Sequence, residues 1–182
     1  MIRLILTLIA ALLASPSAFA DMEKIATPCE KGFCFHWWPK LTTVKGWHHD
    51  RNQSLYYSFN AQVPDGETFS NADTVIYANA PFKPRVLELK TLQALIDNDQ
   101  RQFRTDFPGV EIKEVAPLVT ADGQKLRSFL YLPASSGSWE RVSYGEEGEF
   151  YLIFTVSSRT KQGLNRALSA YRQFINAYKS NP

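Results

Sequence analysis

The sequence predicts an α+β domain in which a mainly antiparallel sheet carries an internal helix and a C-terminal amphipathic helix. Three observations predict this class. Strand-like runs come first, a helical segment and two hairpins follow, and an amphipathic helix ends the chain. The run 150–156 is apolar on both faces, which predicts a central strand covered on each side.

Residues 1–20 have the features of a secretory signal peptide. Arg3 supplies a positive charge, an apolar run over 4–13 follows, and Ala18-Phe19-Ala20 is a small-x-small cleavage site. The apolar run is about half the ~20 residues needed to span a bilayer. We therefore predict cleavage after Ala20, a single domain over 21–182, and a periplasmic or secreted location.

Composition narrows the classes of partner. A formal net charge of +2, with 21% charged residues, is too small to predict nucleic-acid binding. No later segment approaches transmembrane length. We expect another exported or envelope protein as partner, no nucleic acid, and no membrane-spanning segment in the mature chain.

The two cysteines, Cys29 and Cys34, would lie in an oxidising compartment after export, where disulfides persist. We predict that they pair. A disulfide stabilises a protein mainly by restricting the unfolded chain, and for so short a loop the stabilisation is only about 2 kcal/mol. The bridge would therefore pin an N-terminal segment and not hold the fold together. The alternatives are zinc binding with His36 as a third ligand and a redox role, for which the usual spacing is Cys-x-x-Cys.

The other elements follow from local patterns. Period-two alternation predicts paired strands at 33–38 and 55–63 and a third strand at 74–80. From Thr91, a candidate N-cap, to Phe107 the pattern is helical. Two hairpins follow, 110–119 with 125–132, and 139–144 with 150–157 around a turn at 145–148.

The last helix has the clearest amphipathic pattern. At 100° per residue, seven apolar residues fall within an arc of about 120°. They are Leu164, Ala167, Leu168, Tyr171, Phe174, Ile175 and Tyr178. The opposite face is basic, and it either docks an anionic partner or borders the apolar stripe with its cationic heads in water.

The internal helix carries a candidate polar site. Asp99 and Asp106 interrupt its apolar face, and Gln102 sits beside them on the helical wheel. Two carboxylates on a buried stripe are costly unless they are paired. The alternative interpretation places both on the rim of a narrower apolar face.

An aromatic and histidine cluster near the mature N-terminus is the candidate binding surface. Tryptophan offers a large rigid contact area, and histidine can bind a metal or titrate near pH 6.5. Core packing of the tryptophans is the competing interpretation. The residues are Trp37, Trp38, Trp47, His48, His49 and Asp50.

The sequence contains no phosphate-binding loop, nucleophile elbow or zinc-protease motif. The best candidates for catalytic residues are a group of glutamates beside Trp139, because a glycosidase needs two carboxylates and an aromatic platform for the sugar. The group consists of Glu140, Glu146, Glu147 and Glu149, of which Glu146 and Glu147 would lie in a solvated turn. We predict no catalytic residues, no cofactor and no metal.

The leader, the strand that runs through Ser157-Ser158-Arg159 into an amphipathic helix, and the helix–hairpin–hairpin order together resemble the PsbP-like group, which includes bacterial periplasmic DcrB-like proteins. The resemblance covers roughly residues 50–180. It implies an α/β/α sandwich and an accessory, partner-binding role with no shared active site.

Three functional classes stay open. The first is an exported, non-enzymatic protein-interaction domain, of the accessory or immunity type. The second is a small-ligand, glycan or metal-binding module that uses the Trp/His cluster. The third is an enzyme that acts on cell-envelope substrates.

Overall fold

The computed structural model describes residues 22–135 and 137–179; the predicted signal peptide lies outside them. The described chain is an α+β structure with nine strands and three α-helices. The strands are β1 (Met22–Cys29), β2 (Gly32–Pro39), β3 (Trp47–His49), β4 (Asn60–Pro64), β5 (Thr74–Asn79), β6 (Glu111–Val119), β7 (Lys125–Leu132), β8 (Trp139–Glu147) and β9 (Phe150–Ser158). The helices are α1 (Arg51–Tyr57), α2 (Leu92–Asp106) and α3 (Lys161–Ala177), with a 3-10 turn at Lys83–Arg85.

Seven strands form an antiparallel sheet in the order β3-β4-β5-β9-β8-β7-β6. The central position of β9 confirms the expectation drawn from its apolar run. Its alternate side chains enter two cores: Leu152 and Phe154 pack with α3, while Tyr151 packs with Leu95 and Ile96 of α2. The two long helices therefore cover opposite faces of the sheet.

Helix α3 begins where the sequence predicted. The Thr160 hydroxyl accepts a hydrogen bond from the Gly163 N–H at 3.0 Å, and this capping satisfies one orphan donor of the first turn. The predicted apolar stripe faces the sheet and is buried, except that Leu168 is half-buried at its edge. Of the described helices, none has the length and apolar composition needed to cross a bilayer.

Gly163, in the first turn of α3, lies against the sheet. A Cβ at this position would overlap the Ser158 Oγ and lie 2.7 Å from the Thr74 Oγ1, two hydroxyls that are themselves hydrogen-bonded at 2.7 Å. Glycine is what allows the helix to approach these two strands so closely.

We expect Gly163→Ala to destabilise the protein by about 1–3 kcal/mol, because overpacking outweighs the ~1 kcal/mol that alanine normally gains over glycine in a helix. Urea denaturation of this variant beside Gln162→Ala, an exposed neighbour, measures the effect. A Gly163→Ala protein as stable as the wild type would contradict the close approach.

Helix α2 also begins at its predicted cap. The Thr91 hydroxyl accepts from the Ala94 N–H at 3.1 Å. Leu95 and Ile96 are buried against β7 and β8, which leaves the β5 side of this sheet face without a covering helix. The site described below lies on this face, between α2 and β5.

The prediction of one strand over 55–63 is wrong. Residues Arg51–Tyr57 form α1, and only Asn60–Pro64 form β4. The Asp50 side chain caps α1 by accepting from the Gln53 N–H at 3.1 Å, and Ser58 ends it in the left-handed conformation with φ 62°. The period-two alternation across 55–57 falls in the last turn of this helix, where Leu55, Tyr56 and Tyr57 are all exposed.

Strand β2 pairs with β1 and not with residues 55–63 as predicted. Together β1 and β2 form a separate two-stranded sheet, the N-terminal hairpin, whose end is closed by the predicted Cys29–Cys34 disulfide. The base of the hairpin is held to the large sheet by hydrogen bonds from the Ala80 N–H to the Trp37 carbonyl and from the Asn60 side chain to the Pro39 carbonyl, both 3.0 Å.

The predicted turn at 145–148 is also wrong, because β8 continues through Glu147 and the chain reverses at Gly148 and Glu149. Gly145 lies inside the strand, where a Cβ would overlap the Leu126 side chain. Close packing, not turn formation, accounts for this glycine. As a result Glu147 is buried and accepts a hydrogen bond from the Tyr178 hydroxyl.

Candidate functional site

Trp38, one of the predicted surface residues, is fully buried. Its indole N–H donates to the Glu23 Oε2 at 2.9 Å, and Glu23 in turn pairs with Arg51 at 2.6 Å. Hydrogen bonding to Arg51 and Trp38 outweighs the effect of burial and lowers the pKa of Glu23. Trp38 therefore joins the N-terminal hairpin to α1 and cannot belong to a contact surface.

The other two tryptophans of the cluster are half-buried and lie apart. Trp37 packs on Phe82 and Phe150 with ring centroids 5.0 and 5.6 Å away. Trp47 lies edge-on to Phe174 of α3 at 6.2 Å. The tryptophans thus pack against three different parts of the fold.

His49 and Asp50 hold α1 in place. The His49 Nε2 lies 2.8 Å from the buried Ser54 Oγ, which also donates to the Asp50 carbonyl and accepts from the Ala61 N–H. The Asp50 carboxylate accepts from the N–H groups of Gln53 and Phe69. Because Ser54 is 0% exposed and bonds to Asp50 and Ala61 as well as to His49, this Ser–His pair holds α1 against β4.

Burial, together with the positive charge of Arg51, lowers the pKa of His49. His48 is exposed and lies 3.6 Å from the Asp65 carboxylate. Within residues 22–135 and 137–179, no three His, Cys, Asp or Glu side chains meet in an arrangement that could hold a metal ion.

Two cavities lie along β5 on the same face of the sheet as α2; together we call them the α2-face groove. Their volumes are about 340 and 210 Å³, and they share Tyr77 as a wall. The larger cavity is aromatic: the rings of Tyr57 and Phe69 lie 5.4 and 5.3 Å from that of Phe59, which stacks on Tyr77 at 4.8 Å. The smaller, polar cavity lies under α2.

Asp99, a residue of the predicted polar helix site, lines the smaller cavity. Its carboxylate accepts a hydrogen bond from the Tyr144 hydroxyl, which lies 2.7 Å from the Tyr131 hydroxyl. Burial raises the pKa of Asp99, and the hydrogen bonds from the two tyrosines oppose that rise. Gln102 and Asp106 are exposed and do not line this cavity, so the predicted three-residue site does not form.

Glu140 is the second carboxyl group of the same cavity. It points from β8 to the α2 face, and one of its oxygens accepts from the Ser157 Oγ at 2.7 Å. Burial, with a further contribution from the nearby negative charge of Asp99, raises the pKa of Glu140 to about 7. Of the four predicted glutamates, only Glu140 lines this cavity; Glu147 is buried on the α3 side, and Glu146 and Glu149 are exposed.

We expect Glu140 to make stability depend on pH. Its pKa rises from 4.5 to about 7 on folding, so between these values the folded protein retains a proton that the unfolded chain has released. Stability then falls as pH rises through this window, by about 3 kcal/mol in total. In urea denaturation from pH 4.5 to 8, the free energy of unfolding of Glu140→Gln should rise relative to that of the wild type as pH rises. If the difference in free energy between the two proteins does not vary with pH, the raised pKa of Glu140 is contradicted.

Three further residues of the cavity region were not predicted: Tyr77, Tyr131 and Tyr144. Burial raises the pKa of each, so all three keep their protons and serve as donors. The signal was present in the sequence, because a tyrosine on a buried strand needs a partner for its hydroxyl. Tyr131 lies opposite Glu140 and Tyr144 lies opposite Arg127, so the two side chains meet only at their hydroxyls. That meeting depends on the register, which is a property of the assembled sheet.

The sequence matches no protein-family model, and it has no significant match among curated proteins.

Proposed function

We propose that this chain is an exported binding domain, without catalytic activity, that takes a small organic ligand in the α2-face groove. This places the ligand-binding role away from the Trp/His cluster. The observation that carries the proposal is the convergence of Asp99, Glu140 and Asn79 on a cavity with aromatic walls. Ligand sites are commonly concave, mostly apolar and supplied with a few polar groups that fix orientation.

Two features favour binding over catalysis. A two-carboxylate hydrolase needs a carboxylate that is free to act on the substrate or on a water molecule. Here the Asp99 carboxylate is already engaged by the Tyr144 hydroxyl. The nearby hydroxyls keep their protons, since the pKa of Tyr131 and of Tyr144 is raised.

Export is part of the same proposal. It rests on the predicted leader and is supported by the Cys29–Cys34 disulfide, a bond that persists in oxidising compartments. The layout that resembles the PsbP-like group is consistent with such a location.

The test is a screen of small aromatic fragments by ¹H–¹⁵N NMR on the uniformly labelled protein. We expect bound fragments to shift the amides of Tyr77 and Thr155. Phe103→Ala, which removes a cavity wall, should weaken binding at least tenfold, whereas Phe33→Ala, on the exposed N-terminal hairpin, should not. Fragments that bind only elsewhere, or an equal response to both variants, would refute the groove as the site.

A protein partner is the second candidate, and the N-terminal hairpin favours it. Phe33 and Phe35 are 70% and 37% exposed on a hairpin that the disulfide closes, and exposed aromatic residues are typical of interface anchors. Under this alternative, a Phe33→Ala/Phe35→Ala double variant should lose a specific envelope partner that the wild type retains in a pull-down. An unchanged set of co-purifying proteins would count against it.

A further inference from the structure

The smaller cavity of the α2-face groove holds two acidic groups and no basic one. Among the described residues that line it, Asp99 and Glu140 are the charged side chains, and neither takes part in an ion pair there. Glu23, Glu114 and Glu146, by contrast, each pair with an arginine or lysine.

Glu140 is the more unusual of the two. Its side chain is half-buried, yet the Ser157 hydroxyl is the single donor to its carboxylate among the described residues. Burying a carboxylate without a cation is unfavourable, and this side chain lines the cavity. An unpaired acidic group in a cleft is a candidate for recognising a ligand of opposite charge.

The walls around the two carboxyl groups suit an organic cation. The Phe103 ring lies 4.7 Å from the Tyr131 ring, and Tyr77 closes the cavity on the β5 side. Aromatic faces attract cations through their quadrupole, and this attraction is strongest where water is excluded. The cavity has a volume of about 210 Å³, and the Tyr77 and Phe103 rings in its wall offer an apolar body a surface to lie on.

We infer that the groove binds a primary amine, its ammonium group held by Asp99 and Glu140 and its apolar body lying on the aromatic residues beside Tyr77. This inference rests on the proposed function, because it names the ligand class of the same groove. Bound ammonium would supply the counter-ion that the cavity lacks. The carboxyl group of Glu140 would then give up its proton on binding.

Loss of the Glu140 proton on binding makes amine affinity depend on pH, and the other titratable groups around Glu140 would not oppose this dependence. Asp99 faces it from α2, Tyr131 from β7 and Tyr77 from β5. The two tyrosines stay protonated, and Asp99 responds to a cation in the same direction as Glu140. Amine affinity should therefore increase between pH 5 and pH 8.

The test compares 2-phenylethylammonium with 2-phenylethanol, a pair that differs in charge and hardly in shape. NMR titrations at pH 7.5 would use the wild type, Glu140→Gln, and Glu149→Gln, a control in the exposed β8–β9 turn. We expect the wild type and Glu149→Gln to bind the ammonium at least tenfold more tightly than the alcohol. Glu140→Gln should bind the two within about twofold of each other.

The outcomes separate the two proposals. If both probes bind the groove equally in the wild type, or if Glu140→Gln keeps the preference, the amine inference is wrong and the proposed function stands. If neither probe binds while other fragments shift Tyr77 and Thr155, again only the inference fails. If no fragment reaches the groove, both fail. Spectra of Glu140→Gln without ligand, and Asp99→Asn as a second variant, guard against a loss of binding caused by misfolding.

Discussion

Replacing Trp38 by alanine is expected to lower the free energy of unfolding by about 3–5 kcal/mol, the usual range for truncating a buried tryptophan. The side chain is 0% exposed and its indole N–H donates to Glu23 at 2.9 Å. The substitution therefore opens a cavity and leaves a half-buried carboxylate with one donor fewer. Urea denaturation followed by circular dichroism at 222 nm measures the loss.

Two control variants separate the loss of the buried ring from the loss of the indole hydrogen bond and from the effect of a change at an exposed position. Trp38→Phe keeps an aromatic ring but loses the indole donor, so it should cost less than alanine. His48→Ala changes an exposed neighbour in the same cluster and should stay within about 0.5 kcal/mol of the wild type. If Trp38→Ala unfolds at the wild-type midpoint, the hairpin is not anchored through this residue.

The elements that the sequence predicted well are those whose burial pattern is set within one segment. The α3 stripe repeats over four turns, and Thr160 caps the helix. The run at 150–156 is apolar on both faces, so a central position followed without knowledge of its neighbours. In each case local periodicity and tertiary packing agree.

The segment 55–63 was mispredicted because the structure of its first part depends on a helix cap and not on periodicity. Asp50 receives hydrogen bonds from Gln53 and from the distant Phe69, and Ser58 adopts a left-handed conformation that only context reveals. A seven-residue helix has too few turns to produce a clear period of 3.6. Strand β1 was not predicted, because its partner β2 had been paired with the wrong segment.

The candidate site could be predicted only in part. Asp99 was singled out because it interrupts an apolar helix face, and Glu140 because it lies among other glutamates beside Trp139. Their meeting required the register of β8 on β9 and the position of α2 above β8, neither of which a single sequence specifies. The Trp/His cluster was conspicuous for its composition, yet its three tryptophans pack against different parts of the fold, His49 and Asp50 hold α1, and His48 is exposed.

Tyr171 should be the most sensitive position of α3. It is 0% exposed, and its hydroxyl donates to the Phe154 carbonyl of the central strand at 2.8 Å and lies 2.8 Å from the Ser143 Oγ. Ser143 is itself 2.8 Å from the Ser128 hydroxyl, so one side chain of α3 completes a buried polar network that spans β7, β8 and β9.

We expect Tyr171→Ala to cost about 3–5 kcal/mol of stability, because it removes a buried ring and leaves the network without its aromatic member. Tyr171→Phe keeps the ring and should cost about 1–2 kcal/mol, the penalty for unsatisfied buried acceptors. Arg172→Ala, one residue along and exposed, should have little effect. Equal losses at Tyr171 and Arg172 in urea denaturation would mean that α3 presents a different face to the sheet. A Tyr171→Phe protein as unstable as Tyr171→Ala would instead assign the energy to the hydroxyl network and not to the packing of the ring.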